Sequence, residues 1–204
     1  MLSSNLARAV PAAIAATMLL LPAIAAAESA SEPPPPSTRG FSVRAGIAMW
    51  QPRADARSVA DTSPGLRPEV AYTVLPGLAI TAGFDWVIVD KATGVPGGDA
   101  YFYAASLGAR YTVPVPGRVR PVVAASLGRY SLHVDCASEC GGALVHDNAL
   151  GGRIEGGVAI AINAWLNAQA TLGYSHARMD MGVFTTVERD LDALVFDMGL
   201  GVRL

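Results

Sequence analysis

Lysine is almost absent: Lys91 is the only one among 204 residues. Charged residues make up 16% of the chain and hydrophobic ones 51%, where a soluble domain carries about 25% charged residues. The chain is therefore short of the long, solvated side chains that cover a water-facing surface. There is no Lys/Arg run and no recognition-helix pattern, and the formal net charge is −2, which excludes a nucleic-acid partner. Cysteine is scarce as well, with Cys136 and Cys140 as the only pair. From Gly40 onward no convincing helical stretch appears, and the length fits one domain.

Most of the helix-like apolar sequence lies at the N-terminus. "MLSSNLAR" forms a short basic n-region, "AVPAAIAATMLLLPAIA" an apolar h-region, and Ala25 and Ala27 are small residues before a cleavage point. Residues 1–27 read as a secretory signal peptide; Pro11 and Pro22 argue against a membrane anchor. The next stretch, 28–39, holds four consecutive prolines and reads as a polyproline II linker. Residues 40–204 are the candidate domain.

That domain alternates with period 2 between turn signals. Candidate strands are 41–50, 68–75, 78–89, 101–113, 119–132, 150–162, 165–177 and 192–204. These make about eight, an even number, each near the 9 to 11 residues that a tilted strand needs to cross a bilayer. Short connections ("PG" at 76–77, "PVPG" at 114–117, "NA" at 163–164) alternate with longer ones at 51–67, 90–100, 133–149 and 178–191. This order predicts an all-β, eight-stranded antiparallel transmembrane β-barrel, with short periplasmic turns and long extracellular loops.

The two faces differ in kind. One carries Val43, Ile47, Ile80, Phe84, Leu107, Val158, Ile160, Leu172, Leu200 and Val202, with no mid-strand charge. The other sets Arg44, Glu69, Asp85, Arg110, Arg153, Glu155, Asp197 and Arg203 among Gly, Ala, Ser and Thr. Small residues suit the crowded interior of an eight-stranded barrel. Four basic and four acidic residues facing inward predict a neutral network of ion pairs in the lumen. Such a lumen leaves no aqueous channel, so a general porin is not expected. Phe41, Tyr111 and Trp165 at the short-turn end, with Trp86, Tyr101, Tyr103 and Tyr174 at the long-loop end, predict two interfacial aromatic belts. Trp50 and Tyr130 fall on the inward parity instead.

The closing stretch "FDMGLGVRL" alternates to its last position and reads as a strand paired along its length. Over residues 40–204 the chain resembles the small bacterial outer-membrane β-barrels of the outer-membrane-protein A and X type. The alternating strands, the order of turns and loops and the ending "DMGLGVRL" carry the resemblance. It implies residence in the outer membrane of a Gram-negative-type envelope, with outer-membrane lipids around the barrel. It also implies that the barrel assembly machinery reads the last strand, with Asp197, Gly199, Val202 and Leu204 at the places of the recognition pattern. Leu204 departs from the aromatic residue usual there, and no periplasmic domain is expected after the barrel.

Chemistry concentrates in "HVDCASECGGALVH". In an exported protein Cys136 and Cys140 are expected to form a local disulfide. The competing reading is zinc held by His133, Cys136, Cys140 and His146, although their spacing fits no standard module. Ser131 with His133, and Ser175 with His176, are serine–histidine neighbours without an identifiable acidic orienter. No catalytic residue and no cofactor is assigned. The expectation is a non-enzymatic barrel, structural or surface-binding through its loops. A soluble lipocalin-like barrel and a lipid-modifying enzyme are the alternatives.

Overall fold

The computed structural model describes residues 39–53, 56–57, 60–89, 100–135, 144–180 and 188–204. Eight strands follow in chain order: β1 (Gly40–Arg53), β2 (Ser63–Leu75), β3 (Leu78–Val89), β4 (Ala100–Thr112), β5 (Val119–Asp135), β6 (Leu144–Ala161), β7 (Leu166–Asp180) and β8 (Glu188–Arg203). Each pairs antiparallel with its neighbours, and β8 returns to β1 from Ser42↔Arg203 to Arg53↔Asp192. The sheet is a closed barrel and has no open edge, which is the condition for strands to lie in hydrocarbon.

Local chemistry sets the short turns. Pro76 and Gly77 link β2 to β3, and Gly77 takes φ +81°, a conformation that glycine alone adopts without strain. A Cβ there would meet the Thr112 carbonyl oxygen at 2.4 Å. Between β6 and β7, the Asn163 side-chain oxygen accepts hydrogen bonds from the Trp165 and Leu166 amides at 3.0 and 2.7 Å. At this same end the Leu204 amide donates to the Phe41 carbonyl.

The strands run to 12 to 18 residues, and all but β3 and β4 are longer than the sequence pattern predicts. The excess lies mostly at the long-loop end, where β5 and β6 stay paired to Asp135↔Leu144. The hairpins thus continue past the length that a bilayer requires. β6 begins at Leu144 rather than at 150, and β2 at Ser63 rather than at 68. Pro64 and Pro68 face outward, and the β2–β3 ladder lapses at Arg67 and Pro68 before resuming in the same register. A missing N–H explains a local lapse and not the end of a strand. Cys136, Cys140, the signal-peptide segment and residues 28–38 of the linker lie outside the described residues.

The outer wall is apolar and bare, with Leu150 84%, Leu127 75%, Leu107 68% and Ile47 62% exposed. A continuous surface of this kind is a hydrocarbon-facing one. Phe41, Tyr72, Tyr111 and Trp165 ring its short-turn end, and Trp86, Tyr103 and Tyr174 its long-loop end.

Candidate functional site: the filled lumen

Three layers fill the barrel. The middle one is made of charges that β1, β2, β3, β4, β6 and β8 deliver to the axis. Asp197 on β8 is fully buried and accepts a hydrogen bond from Arg44 on β1. Arg44 also lies 3.7 Å from Glu69 on β2, which accepts a hydrogen bond from Arg110 on β4. A second chain runs through Arg67: its guanidinium donates to both oxygens of Glu155 at 2.8 and 2.5 Å and approaches Asp85 at 3.7 Å. Arg153 grips Asp85 with both terminal nitrogens, at 2.9 and 3.3 Å, and Thr171 donates to Glu155 at 3.0 Å. Each chain holds two cations and two anions, so the middle layer is neutral.

Above it, toward the long loops, an apolar plug forms from Ala48, Trp50, Val87, Phe102, Ala104, Tyr130, Ala177, Ala193 and Val195. Trp50 and Phe102 meet edge-on with centroids 4.7 Å apart, and Phe102 lies 5.7 Å from Tyr130. The Arg153 guanidinium stacks over Trp50 at 4.8 Å, joining plug to network. Below the network, at the short-turn mouth, lies a vestibule of about 130 Å³ lined by Arg110, Arg120, Arg203, Thr112, Asn167 and Gln169.

The structure places seven of the eight expected lumen charges in the paired middle layer. Arg203 is the exception, since it lines the mouth and has no carboxylate partner among the described residues. Arg67 takes the fourth cationic place in the ion-pair network instead; the sequence pattern puts it at the end of the connection 51–67 and not among the lumen charges. Its alternation with Glu69 was the available signal. Of the four positions of the closing pattern, Asp197 and Gly199 lie on the inward parity of β8, while Val202 and Leu204 are exposed on the outer wall.

On the outer face near the loops, Ser131 donates to Asn148 at 2.5 Å and His133 meets Tyr103 edge-on at 5.3 Å. His176 bonds Asp192 at 2.8 Å. Ser175, its neighbour in the chain, points the other way and donates to Tyr130 inside the barrel at 3.2 Å. The backbone register sets His133 directly opposite His146. Among the described residues no group of three or more His, Cys, Asp or Glu is placed to hold a metal ion.

A closed eight-stranded barrel with an apolar outer wall, aromatic belts and a charged, filled interior defines a class of integral outer-membrane proteins. The chain belongs to the family described by the outer membrane protein beta-barrel domain, whose model matches residues 14–203. Comparison with curated protein sequences gives no match. Among solved structures, it is similar to Neisserial surface protein A (18% identity, TM-score 0.57, 81% of this chain and 96% of that one). It is also similar to the N-terminal β-barrel domain of OprF from Pseudomonas aeruginosa (15%, 0.54, 81% and 99%). Ail, the attachment invasion locus protein of Yersinia pestis, gives 13%, 0.53, 81% and 99%. These likenesses are of fold, and the family places the protein in the outer membrane.

Proposed function

We propose that this barrel is a closed scaffold of the outer membrane, non-catalytic and non-conducting, whose long hairpins present a binding surface outside the cell. The carrying observation is the lumen itself: among the described residues a neutral ion-pair layer and an aromatic plug occupy the space that an aqueous channel would need. The serine–histidine neighbours support the non-catalytic part. Ser175 and His176 lie on opposite faces of β7, and the Ser131 hydroxyl is engaged by Asn148. The lipocalin-like alternative needs a hollow apolar interior and a wet outer wall, the reverse of the observed faces.

In this reading residues 1–27 are removed on export, residues 28–39 form a spacer, outer-membrane lipids surround the wall, and the assembly machinery reads the last strand. Ail has been solved with the heparin analogue sucrose octasulfate, a precedent for ligand capture by a barrel of this fold. The connections 54–62, 90–99, 136–143 and 181–187 of this chain hold Asp55, Asp61, Asp90, Asp99 and Glu139 against Arg57 and Lys91. That balance favours cationic or neutral surface molecules over a polyanion. Planar-bilayer recording tests the closed scaffold. The expected result is no steady conductance after insertion; a stable, reproducible open level would defeat the reading.

A further inference from the structure

The inward-facing charges do not stop at the balanced middle layer. Arg120 is the second residue of β5, in "VRPVV", and Arg203 ends β8, both on the inward parity and both at the short-turn mouth. The four arginines and four carboxylates deeper in the lumen cancel, so these two guanidinium groups are an uncompensated pair. Among the described residues neither makes an ion pair or a side-chain hydrogen bond. The Nε of Arg120 is shut off from solvent and lacks a partner. Arg44 and Arg153 also carry an unpartnered Nε, but their other nitrogens hold carboxylates. Arg120 has none. Both residues line the 130 Å³ vestibule, whose wall contains no Asp or Glu.

Two positive charges in a narrow mouth raise its energy unless an anion neutralises them. The space exceeds what a single water occupies, and Ala79, Ala159 and Ala161 keep it open. A guanidinium matches a phosphoryl group with two parallel N–H donors, and the Asn167 and Gln169 amides and the Thr112 hydroxyl supply neutral donors around it. We propose that this vestibule binds a phosphoryl group between Arg120 and Arg203, with Asn167 and Gln169 completing the cradle. A soluble phosphate and the headgroup of an anionic phospholipid in the adjacent leaflet present the same chemistry.

The test uses the full chain folded in a phosphate-free, non-ionic detergent, titrated calorimetrically with inorganic phosphate against chloride at equal ionic strength. Saturable binding at one site is expected. Arg120→Gln and Arg203→Gln should each weaken it about tenfold or more, since each removes a charge-assisted contact. Arg129→Gln, an exposed residue of the outer wall, should leave it unchanged. Arg120→Lys and Arg203→Lys, which keep the charge and lose the fork, should fall between, and they guard against a glutamine variant that fails to fold.

A second arm compares nanodiscs of phosphatidylcholine with and without phosphatidylglycerol. If phosphate does not bind but phosphatidylglycerol raises the melting temperature of the parent barrel and not of the glutamine variants, the occupant is the headgroup. The proposal is overturned by the lack of a saturable response in both arms, or by equal responses in the parent and the glutamine variants.

Discussion

Asp197 has no solvent access, so the energy of its charge is set by what the barrel places beside it, chiefly Arg44. Asp197→Leu would leave Arg44 with only Glu69, 3.7 Å away and already bonded to Arg110. Stranding a buried cation in this way costs about 3–5 kcal/mol. Urea unfolding of the folded barrel in lipid vesicles should show that loss, and an unchanged midpoint would mean that this charge does not matter to the lumen. The double variant Arg44→Leu/Asp197→Leu removes both signs and leaves Glu69 with Arg110, so it should recover much of the deficit. Recovery would separate the cost of an unpaired charge from the loss of packing.

The strand β1 must approach β8 closely for the barrel to close, and Gly46 permits it. A Cβ at Gly46 would meet the Met198 carbonyl oxygen at 2.8 Å and an Asp197 carboxylate oxygen at 2.9 Å. Overfilling such a seam costs about 1–3 kcal/mol. Gly46→Ala should therefore lower the temperature at which the barrel loses its compact, heat-modifiable form on gels. Gly156→Ala, whose Cβ would meet only the Val122 carbonyl oxygen at 3.9 Å, should not. Equal behaviour of the two would remove the seam from the argument.

Elements also mark how far the sequence could be read. Alternation located all eight strands, and residue size and charge told the faces apart. What it hid, it hid for physical reasons. Arg67 was obscured by prolines whose rings point outward, where a strand tolerates them at the cost of a ladder bond. Phe102 and Val87 belong to the plug, but each stands beside an outward aromatic, Tyr101, Tyr103 or Trp86. Apolar residues on both parities erase the period-2 contrast. Arg120 escaped notice because it lies at the very end of its strand, outside the mid-strand charges, and the mouth exists only once β4, β5, β7 and β8 are brought round one axis.

At the scale of the whole molecule, the three tryptophans report on three environments. Trp50 is 4% exposed inside the plug, Trp86 is 39% exposed on the outer wall near the long loops, and Trp165 is 56% exposed near the short turns. In vesicles of lipids brominated along the acyl chain, single-tryptophan variants should therefore separate. Trp86 and Trp165 should be quenched most by bromines close to the headgroups, where an indole with one polar edge settles. Trp50 should resist both brominated lipid and aqueous acrylamide, because the wall shields it from one and the packed lumen from the other. Quenching of Trp50 by acrylamide alone would mean an open interior and would count against the closed scaffold, whereas quenching of Trp50 by lipid with Trp86 spared would mean inverted faces. Since the same fold turned inside out is a soluble carrier, the position of these three rings relative to lipid decides which of the two physical objects this sequence makes.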